Sequence, residues 1–300
     1  SPTALPIGMI KELNEHLLSI APTIEHPEIA IECHPGYLDA NDWQQLAACG
    51  FTRYSLGVQD LRSEVLKVVN RRESMMPVGE ILEMLHESGA TVNLDFLYGL
   101  PLQTIESFRN TIEQAAAWRP DRLVTFSYAH LPKLFPRQQI LDKVGLPANQ
   151  EKNGMYEAAA EVLTAAGYQP IGLDHFVLPD DELAVALGKG QLHRNFQGYC
   201  TRRTTAQVYA FGVTGISQLD DCYAQNGRDI NTYIETLNSG QLYITRGYHL
   251  TAQEKLVRQV VETLMCNYTM KWNDVAAHLG VSAAEVREAC GYNETTFSEM

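Results

Sequence analysis

Apolar and polar positions along the first 178 residues alternate between two kinds of segment. Short runs rich in β-branched and aromatic residues favour β-strands, and longer segments with apolar residues three and four positions apart favour helices. One strand follows another at about 30–35 residues, the spacing of parallel strands joined by a crossover helix. We predict five strands: "IAIECHP" (29–35), "RYSLGVQ" (53–59), "TVNLDFLYGL" (91–100), "RLVTFSYAHL" (122–131) and "QPIGLDHFV" (169–177).

Helical segments lie between these strands, and one amphipathic segment, "IGMIKELNEHLLSIA", precedes the first strand. Asp39 or Asn41 is expected to cap the second helix, and glycines at 50, 89 and 167 are typical helix stops. The helices predicted between strands are "LDANDWQQLAACG", "EVLKVVN", "VGEILEMLHESG", "TIESFRNTIEQAAAW" and "NQEKNGMYEAAAEVLTAAG". Parallel strands with right-handed crossovers make a barrel or an open sheet. Because the repeat begins after an isolated helix, we predict an α/β fold with an incomplete parallel barrel over residues 1–178.

The pattern changes after residue 178, which predicts a second, smaller and mainly helical domain over 179–300. A short helix, "PDDELAVALGKG", is followed by a segment rich in Gly, Thr and aromatic residues, which we interpret as strands and turns covering one end of the barrel. The last segment, "MKWNDVAAHLGVSAAEVREAC", resembles a helix-turn-helix with its turn at Gly280. Its second helix contains Glu285, Arg287 and Glu288, and this net negative charge would repel DNA phosphates. The segment is therefore predicted to be a packing module, a helix pair with a structural role, and not a DNA-binding element.

Composition narrows the functional classes. The chain has 300 residues, 45% of them hydrophobic, and a net charge of −13, which disfavours nucleic acid and anionic membranes as partners. No apolar run approaches the roughly 18 residues that span a bilayer, and the start, "SPTALPIGMIKEL", lacks the pattern of a signal peptide. The six cysteines are scattered without a CxxC pair, which predicts no metal cluster among them and favours the cytoplasm.

Polar residues fall in the later part of the predicted strands or just beyond them. Carboxyl ends of parallel strands meet at one edge, where side chains from several strands converge on a ligand. A buried carboxylate such as Asp95, between Leu94 and Phe96, needs a partner because its desolvation is costly. We therefore predict a shared ligand site that includes Glu32, Gln59, Asp95, Tyr128, His130, Asp174 and His175.

A second candidate is a basic stretch in this acidic chain. His193, Arg194, Arg202 and Arg203 lie close together in sequence. Arginine side chains recognise carboxylates and phosphates by paired hydrogen bonds, so the stretch is either a pocket for such groups or a solvated basic loop.

Several short motifs of the sequence together resemble those of one enzyme family, the oxygen-independent coproporphyrinogen III oxidases, which belong to the radical S-adenosylmethionine enzymes. "YAHLP", "DHF..PDDELA" and "LHRNFQGY" distinguish this branch from a related branch of haem chaperones. The other matching motifs are "IECHP", "SLGVQD", "VVNR", "LDFLYGLPLQT", "PDRLVTFSYAHLP", "GVTGIS" and "DCYAQN". The resemblance implies a barrel of the radical S-adenosylmethionine type.

The resemblance also implies a missing part. In the family a CxxxCxxCxC loop binds a 4Fe-4S cluster through three thiolates, and none of the six cysteines here has that spacing. We therefore expect that the sequence is a fragment without the cluster-binding segment, and that the fragment itself holds no cluster and is inactive.

Two adjacent S-adenosylmethionine sites are implied by the matching positions. The first would involve Glu32, Ala129 and Ile216. The second would involve Gln59, Arg71 and Asp95. Arg can pair with the amino-acid carboxylate of the cofactor, and Asp and Glu can accept hydrogen bonds from its ribose hydroxyls or ammonium.

The activity implied for the whole enzyme is oxidative decarboxylation of two propionates of coproporphyrinogen III to vinyl groups, giving protoporphyrinogen IX, in haem biosynthesis. Arg194, Arg202 and Arg203 would bind carboxylates of this tetra-anionic substrate. A separate electron donor would reduce the cluster. Two alternatives stay open from sequence: a haem chaperone of the same fold, and a metal-independent lyase or hydrolase using Asp174 and His175 with Glu32 as acid and base.

Overall fold

A computed structural model describes residues 1–20, 22–195, 198–201 and 207–293. The chain divides into two compact units, Ser1–Asp181 and Glu182–Met300. The division predicted from the sequence lies close to this one, and the roles given to the two parts stay predictions. Within the described residues, no helix is both long enough and apolar enough to cross a membrane.

The first unit is built on a six-stranded sheet with the order β1-β2-β3-β4-β6-β5. Four strands follow one another as neighbours and are parallel: β1 (Ala30–Cys33), β2 (Arg53–Gln59), β3 (Thr91–Tyr98) and β4 (Arg122–Ser127). This confirms the first four predicted strands. The prediction placed the end of β4 too late, because the chain leaves the sheet after Ser127 and the carbonyl of Tyr128 accepts a hydrogen bond from Lys152.

The prediction of one parallel strand over 169–177 was wrong. The segment forms a hairpin of β5 (Gln169–Ile171) and β6 (His175–Val177), and β6 pairs antiparallel with β4. Gly172 has φ +59° at the start of the turn, a left-handed conformation that reverses the chain within three residues. The central sheet is therefore mostly parallel, with three parallel pairings and two antiparallel pairings at one end.

The helices of the first unit are α1 (Ile7–Ile20), α2 (Ala40–Ala47), α3 (Ser63–Val68), α4 (Val78–Glu87), α5 (Ile105–Ala117), α6 (Gln139–Asp142) and α7 (Asn149–Ala165). Five of them, α1, α2, α4, α5 and α7, pack against one face of the sheet. Asp39 caps α2 and Thr104 caps α5 through reciprocal side-chain bonds at the first turn. Buried side chains of these helices, such as Trp43, Leu85 and Phe108, pack with those of the strands in one apolar core.

Each strand buries its apolar side chains beneath these helices and turns polar ones to the opposite face. The strand side chains in the core are Ile31, Cys33, Tyr54, Leu56, Val58, Val92, Leu94, Phe96, Leu123 and Phe176. Alternate positions, including Glu32, Ser55, Asn93 and Asp95, lie on the other face because strand side chains alternate. We call this second set, together with His175, the polar face.

The second unit combines small sheets with helices. A hairpin of β7 (Leu192–Asn195) and β8 (Gly198–Thr201) follows α8 (Glu182–Gly188). A three-stranded antiparallel sheet has the order β11-β10-β9, from β9 (Ile216–Gln218), β10 (Cys222–Asn226) and β11 (Ile244–His249). The remaining helices are α9 (Ile230–Asn238), α10 (Ala252–Asn267), α11 (Trp272–Leu279) and α12 (Ala283–Ala289).

The predicted helix-turn-helix is present in α11 and α12. Gly280, at φ +69°, caps the end of α11. Val275 of α11 and Val286 of α12 pack against Val260 of α10 in a small apolar core. The guanidinium of Arg287 lies over the rings of Trp272 and Tyr292. These contacts support the packing module that the charge of the segment favours.

Candidate cofactor-binding site

Register between the strands gathers the polar face into two adjacent rows. Glu32 of β1 pairs with Ser55 of β2, which pairs with Asn93 of β3. The next row runs from Gly57 through Asp95 and Val124 to His175. Residues paired across a sheet lie on the same face, so four strands contribute to one polar surface.

Asp95 lies at the centre of this surface. Its Oδ2 accepts a hydrogen bond from Ser55 Oγ at 2.7 Å, and its Oδ1 accepts one from Asn93 Nδ2 at 2.7 Å. Burial raises the pKa of Asp95, the two hydrogen bonds lower it, and the charge of Glu32 raises it further. A partly buried carboxylate that keeps only neutral protein donors retains acceptor capacity for a ligand.

The loop after β3 does not hold Asp95 through its amides. The amide of Leu100 donates to Gln103 Oε1 at 2.8 Å, and Gln103 Nε2 donates to Asp60 Oδ2 at 2.6 Å. Asp60 is 1% exposed, and burial raises its pKa. The Gln103–Asp60 bond therefore joins the loops after β2 and β3 and leaves Asp95 to the polar face.

Asn93 and Ser55 belong to the site and are absent from the set predicted by sequence. Asn93 is 5% exposed, and its Oδ1 has no hydrogen-bond partner within the described residues. A buried acceptor without a partner costs free energy, so it favours a donor from a ligand or water. The signal in the sequence is the period of two, which puts Ser55, Gly57 and Gln59, and likewise Asn93 and Asp95, on one face of their strands.

Arg71 enters the site from the chain that follows α3. Its Nη2 donates to the carbonyl of Gly57, and burial lowers its pKa while the negative charge of Asp95 raises it. A Cβ at position 57 would lie 2.8 Å from Arg71 Nη2 and 3.0 Å from Gln59 Nε2. Gln59 itself has φ +73° and follows a register shift at the end of β2. The absence of a side chain at Gly57 thus lets Arg71 and Gln59 lie over the end of β2, beside Asp95.

The loops after β3 and β4 form the rim of the site. Lys152 of α7 donates its Nζ to the Tyr128 carbonyl at 2.9 Å. Its stem passes Gly99, where a Cβ would lie 2.6 Å from Lys152 Cε and where φ is +84°. Ala129 is exposed, and its carbonyl accepts from Gln138 Nε2 at 3.2 Å. Ala129 therefore follows the carboxyl end of β4, as a strand-end ligand position requires.

Other predicted polar residues pair with one another nearby. His175 Nδ1 and Asp174 Oδ1 are 2.6 Å apart, and the charge of His175 lowers the pKa of Asp95. His130 Nε2 lies 2.7 Å from Asp142 Oδ1, and its Nδ1 lies 3.4 Å from the Tyr128 hydroxyl. The Asp174–His175 pair thus belongs to the polar face, whereas His130 is engaged in the loop beyond β4.

Comparison with known proteins agrees with the strand arrangement. A family model described as the Radical SAM superfamily matches residues 3–115. The solved structure of coproporphyrinogen III oxidase from Escherichia coli, a radical SAM enzyme, superposes with a TM-score of 0.87 at 38% identity, covering 94% of this chain and 65% of that one.

Oxygen-independent coproporphyrinogen III oxidases also match at the level of sequence. The protein from Pseudomonas aeruginosa is 40% identical over 284 residues, covering 94% of this chain and 62% of the relative. The protein from Thermostichus vulcanus is 38% identical over 251 residues, covering 83% of this chain and 77% of the relative. The chain belongs to the oxygen-independent coproporphyrinogen III oxidase family. It spans about three fifths of the length of several of the curated relatives it matches, for example 60% of the Escherichia coli protein.

Three of the positions that the family resemblance assigns to S-adenosylmethionine meet at one edge: Gln59, Arg71 and Asp95. The geometry and charge contacts above join them, and the Glu32 carboxylate shares their face of the sheet. Ile216 lies at the start of β9 in the second unit, where it pairs with Gln225. Its role next to a cofactor stays a prediction.

The basic stretch is described only in part, since Arg202 and Arg203 lie outside the described residues. Arg194 stacks its guanidinium over the ring of Tyr199 at 5.4 Å. Its Nε is buried without a hydrogen-bond partner among the residues that the structure describes. Next to it, His193 Nδ1 lies 2.5 Å from Glu262 Oε1, and His193 Nε2 is buried and likewise unpartnered there.

The described residues do not fit the family's iron–sulfur cluster. All six cysteines are described and free, and they are distributed over strands, helices and loops of both units. Three thiolates at one site are the ligands that such a cluster needs, and the described residues bring no three thiols together. Whether the chain takes up iron stays a prediction.

The fit to S-adenosylmethionine is better. This cofactor carries an ammonium and ribose hydroxyls, which are donors, and a carboxylate, which is an acceptor. The polar face offers carboxylates at Glu32 and Asp95 and an unpaired acceptor at Asn93, while Arg71 supplies a cation. The donors and acceptors of the two partners are therefore complementary.

Proposed function

We propose that this chain forms the S-adenosylmethionine-binding edge of an enzyme that oxidatively decarboxylates two propionates of coproporphyrinogen III to vinyl groups in haem biosynthesis. The observation that carries the proposal is the polar face, with Asp95 held by Ser55 and Asn93 beside an unpaired buried acceptor and a cation. Membership of the oxidase family supplies the reaction class.

Each residue of the polar face has a proposed part. Arg71, held by the Gly57 carbonyl, pairs with the carboxylate of one cofactor molecule. Asp95 accepts from its hydroxyl or ammonium donors, and Gln59 offers its amide. Glu32 contacts the other molecule, with Ala129 as a neighbour of its adenine.

When bound, the cofactor would supply a radical able to remove one hydrogen atom from a propionate. Loss of carbon dioxide, with one electron passing to an external acceptor, would then leave the vinyl group. The protein's part is to orient the reacting groups and to exclude water. Arg194 is proposed to pair with a propionate of the substrate, because its Nε is buried without a partner among the described residues and its plane is fixed on Tyr199. Arg202 and Arg203 are proposed for the other carboxylates. An electron donor and a 4Fe-4S cluster complete the proposed enzyme.

Calorimetric titration of this chain with S-adenosylmethionine and with S-adenosylhomocysteine tests the binding edge. Arg71→Gln removes the proposed carboxylate partner and is expected to weaken binding by about tenfold or more, the value of one charged hydrogen bond. Arg109→Gln is the matched control, because Arg109 pairs with Glu161 on the exposed side of α5 and α7. Equal affinity in wild type and Arg71→Gln, or equal loss in both variants, would contradict the assignment.

A further inference from the structure

Three metal-ligating side chains meet at one end of the three-stranded sheet of the second unit. Asp221 and Cys222 lie where β10 begins, and His249 ends β11. Cys222 and His249 are paired in the antiparallel register. Directly opposed residues of antiparallel strands have their side chains on the same face, so the thiol and the imidazole point to a common volume.

The donor atoms are already close. One carboxylate oxygen of Asp221, Sγ of Cys222 and one ring nitrogen of His249 all lie within 4.8 Å of one another. Zinc bonds of about 2.0–2.3 Å at tetrahedral angles place such donors about 3.4–3.8 Å apart. Small side-chain rotations are therefore enough to bring the three atoms to coordination distance.

The backbone around these side chains is fixed by other groups. The amide of Leu250 donates to the Asp221 carbonyl at 2.8 Å, and the amide of Leu219 donates to the Cys222 carbonyl at 2.8 Å. Arg258 donates to the carbonyls of Leu219 and Asp220. These bonds fix the main chain and leave the three donor side chains available to a ligand.

We propose that Asp221, Cys222 and His249 bind one Zn²⁺ ion. A set with one sulfur, one nitrogen and one oxygen donor suits zinc, whereas magnesium and calcium require oxygen donors. Asp221 and His249 are exposed, so water completes the fourth position. The ion links the beginning of β10 to the end of β11. The site is remote in the sequence from the cofactor-binding residues of the polar face and does not depend on the proposed oxidase activity.

The test is a titration of the metal-free chain with Co²⁺ and then Zn²⁺ under anaerobic, reducing conditions. Bound Co²⁺ is expected to give a thiolate charge-transfer band and the visible bands of tetrahedral cobalt, and Zn²⁺ is expected to remove both at a 1:1 ratio. Cys222→Ser and His249→Gln are expected to weaken Zn²⁺ binding by about tenfold or more each, since every ligand of a three-ligand site matters. His249→Cys keeps a ligand and is expected to retain binding with a stronger charge-transfer band.

Matched controls are Cys290→Ser, another partly buried cysteine of the second unit, and His16→Gln, an exposed histidine of α1. Both are expected to bind Zn²⁺ as the wild type does. Circular dichroism checks that each variant is folded. The proposal is overturned if wild type shows no thiolate band at one equivalent, if Cys222→Ser and His249→Gln bind as wild type does, or if the controls lose binding equally. The wild-type spectrum and His249→Cys decide the matter even if another variant fails to fold.

Discussion

Replacing Asp95 with asparagine separates a cofactor ligand from a structural residue. The change keeps size and shape and removes a charge that is held by two neutral donors, Ser55 and Asn93. A lost charged hydrogen bond to the cofactor costs about 1.5–3 kcal/mol, so S-adenosylmethionine should bind about 10- to 150-fold more weakly.

Folding should respond differently to the same change. Burial raises the pKa of Asp95, so its ionisation costs folding free energy as pH rises through that pKa. The substituted asparagine cannot ionise, which removes this cost. One hydrogen bond is rearranged, because Ser55 can turn its hydroxyl to accept, and the free energy of unfolding at neutral pH should change by less than about 1 kcal/mol.

Calorimetric titration and thermal unfolding on the same preparation measure both quantities. Asp180→Asn is the control, because Asp180 is exposed and lies outside the polar face. Unchanged affinity together with a large loss of stability would refute the assignment of Asp95 to the cofactor.

Four further outcomes are expected. Burial lowers the pKa of His34 from 6.5 to about 4, so the stability that neutral His34 contributes is present above about pH 6.5 and is lost as pH falls toward 4. In urea unfolding across this pH range, His34→Asn should reduce the loss of stability by on the order of 1–2 kcal/mol, and a pH profile equal to that of the wild type contradicts this prediction. Asp181→Ala removes the carboxylate that lies 2.6 Å from Nε of the buried Arg122, so it should lower the free energy of unfolding, measured with urea, by about 3 kcal/mol. A loss below about 1 kcal/mol shows that the ion pair is dispensable for stability. The Cβ added by Gly57→Ala should displace Arg71 and so weaken S-adenosylmethionine binding, measured by calorimetry, while the melting temperature stays nearly unchanged. Binding as tight as that of the wild type would reject this steric argument. Anaerobic reconstitution with iron and sulfide should give no stoichiometric 4Fe-4S absorption band, because three thiols do not meet in the described residues, and such a band overturns that reasoning.

Sequence predicted the parallel strands and the helices that cover them because both signals are local. Apolar periodicity and a capping residue such as Asp39 depend on neighbours within a few positions. The hairpin over 169–177 escaped prediction because its turn contains a single glycine, Gly172, within an apolar run. The alternation of apolar and polar positions alone does not distinguish one strand of this length from a hairpin of two shorter strands.

The polar face was predictable to the extent that strand ends carry charged or amide side chains. Asp95 and Glu32 were identified in this way. Ser55 and Asn93 were missed because small neutral residues are common in strands, and their importance arises only when register places them beside Asp95. Lys152 reaches the loops after β3 and β4 from a helix far along the chain, a contact that no local pattern predicts.

The most direct test of the cofactor-binding edge is a crystal structure of this chain with S-adenosylhomocysteine, whose carboxylate, ammonium and ribose match those of the cofactor. The proposal predicts the ligand over the carboxyl ends of β2 and β3, with its carboxylate on Arg71 and a donor on Asp95. Ordered ligand bound away from the polar face, with Asp95 contacting only Ser55 and Asn93, would contradict it.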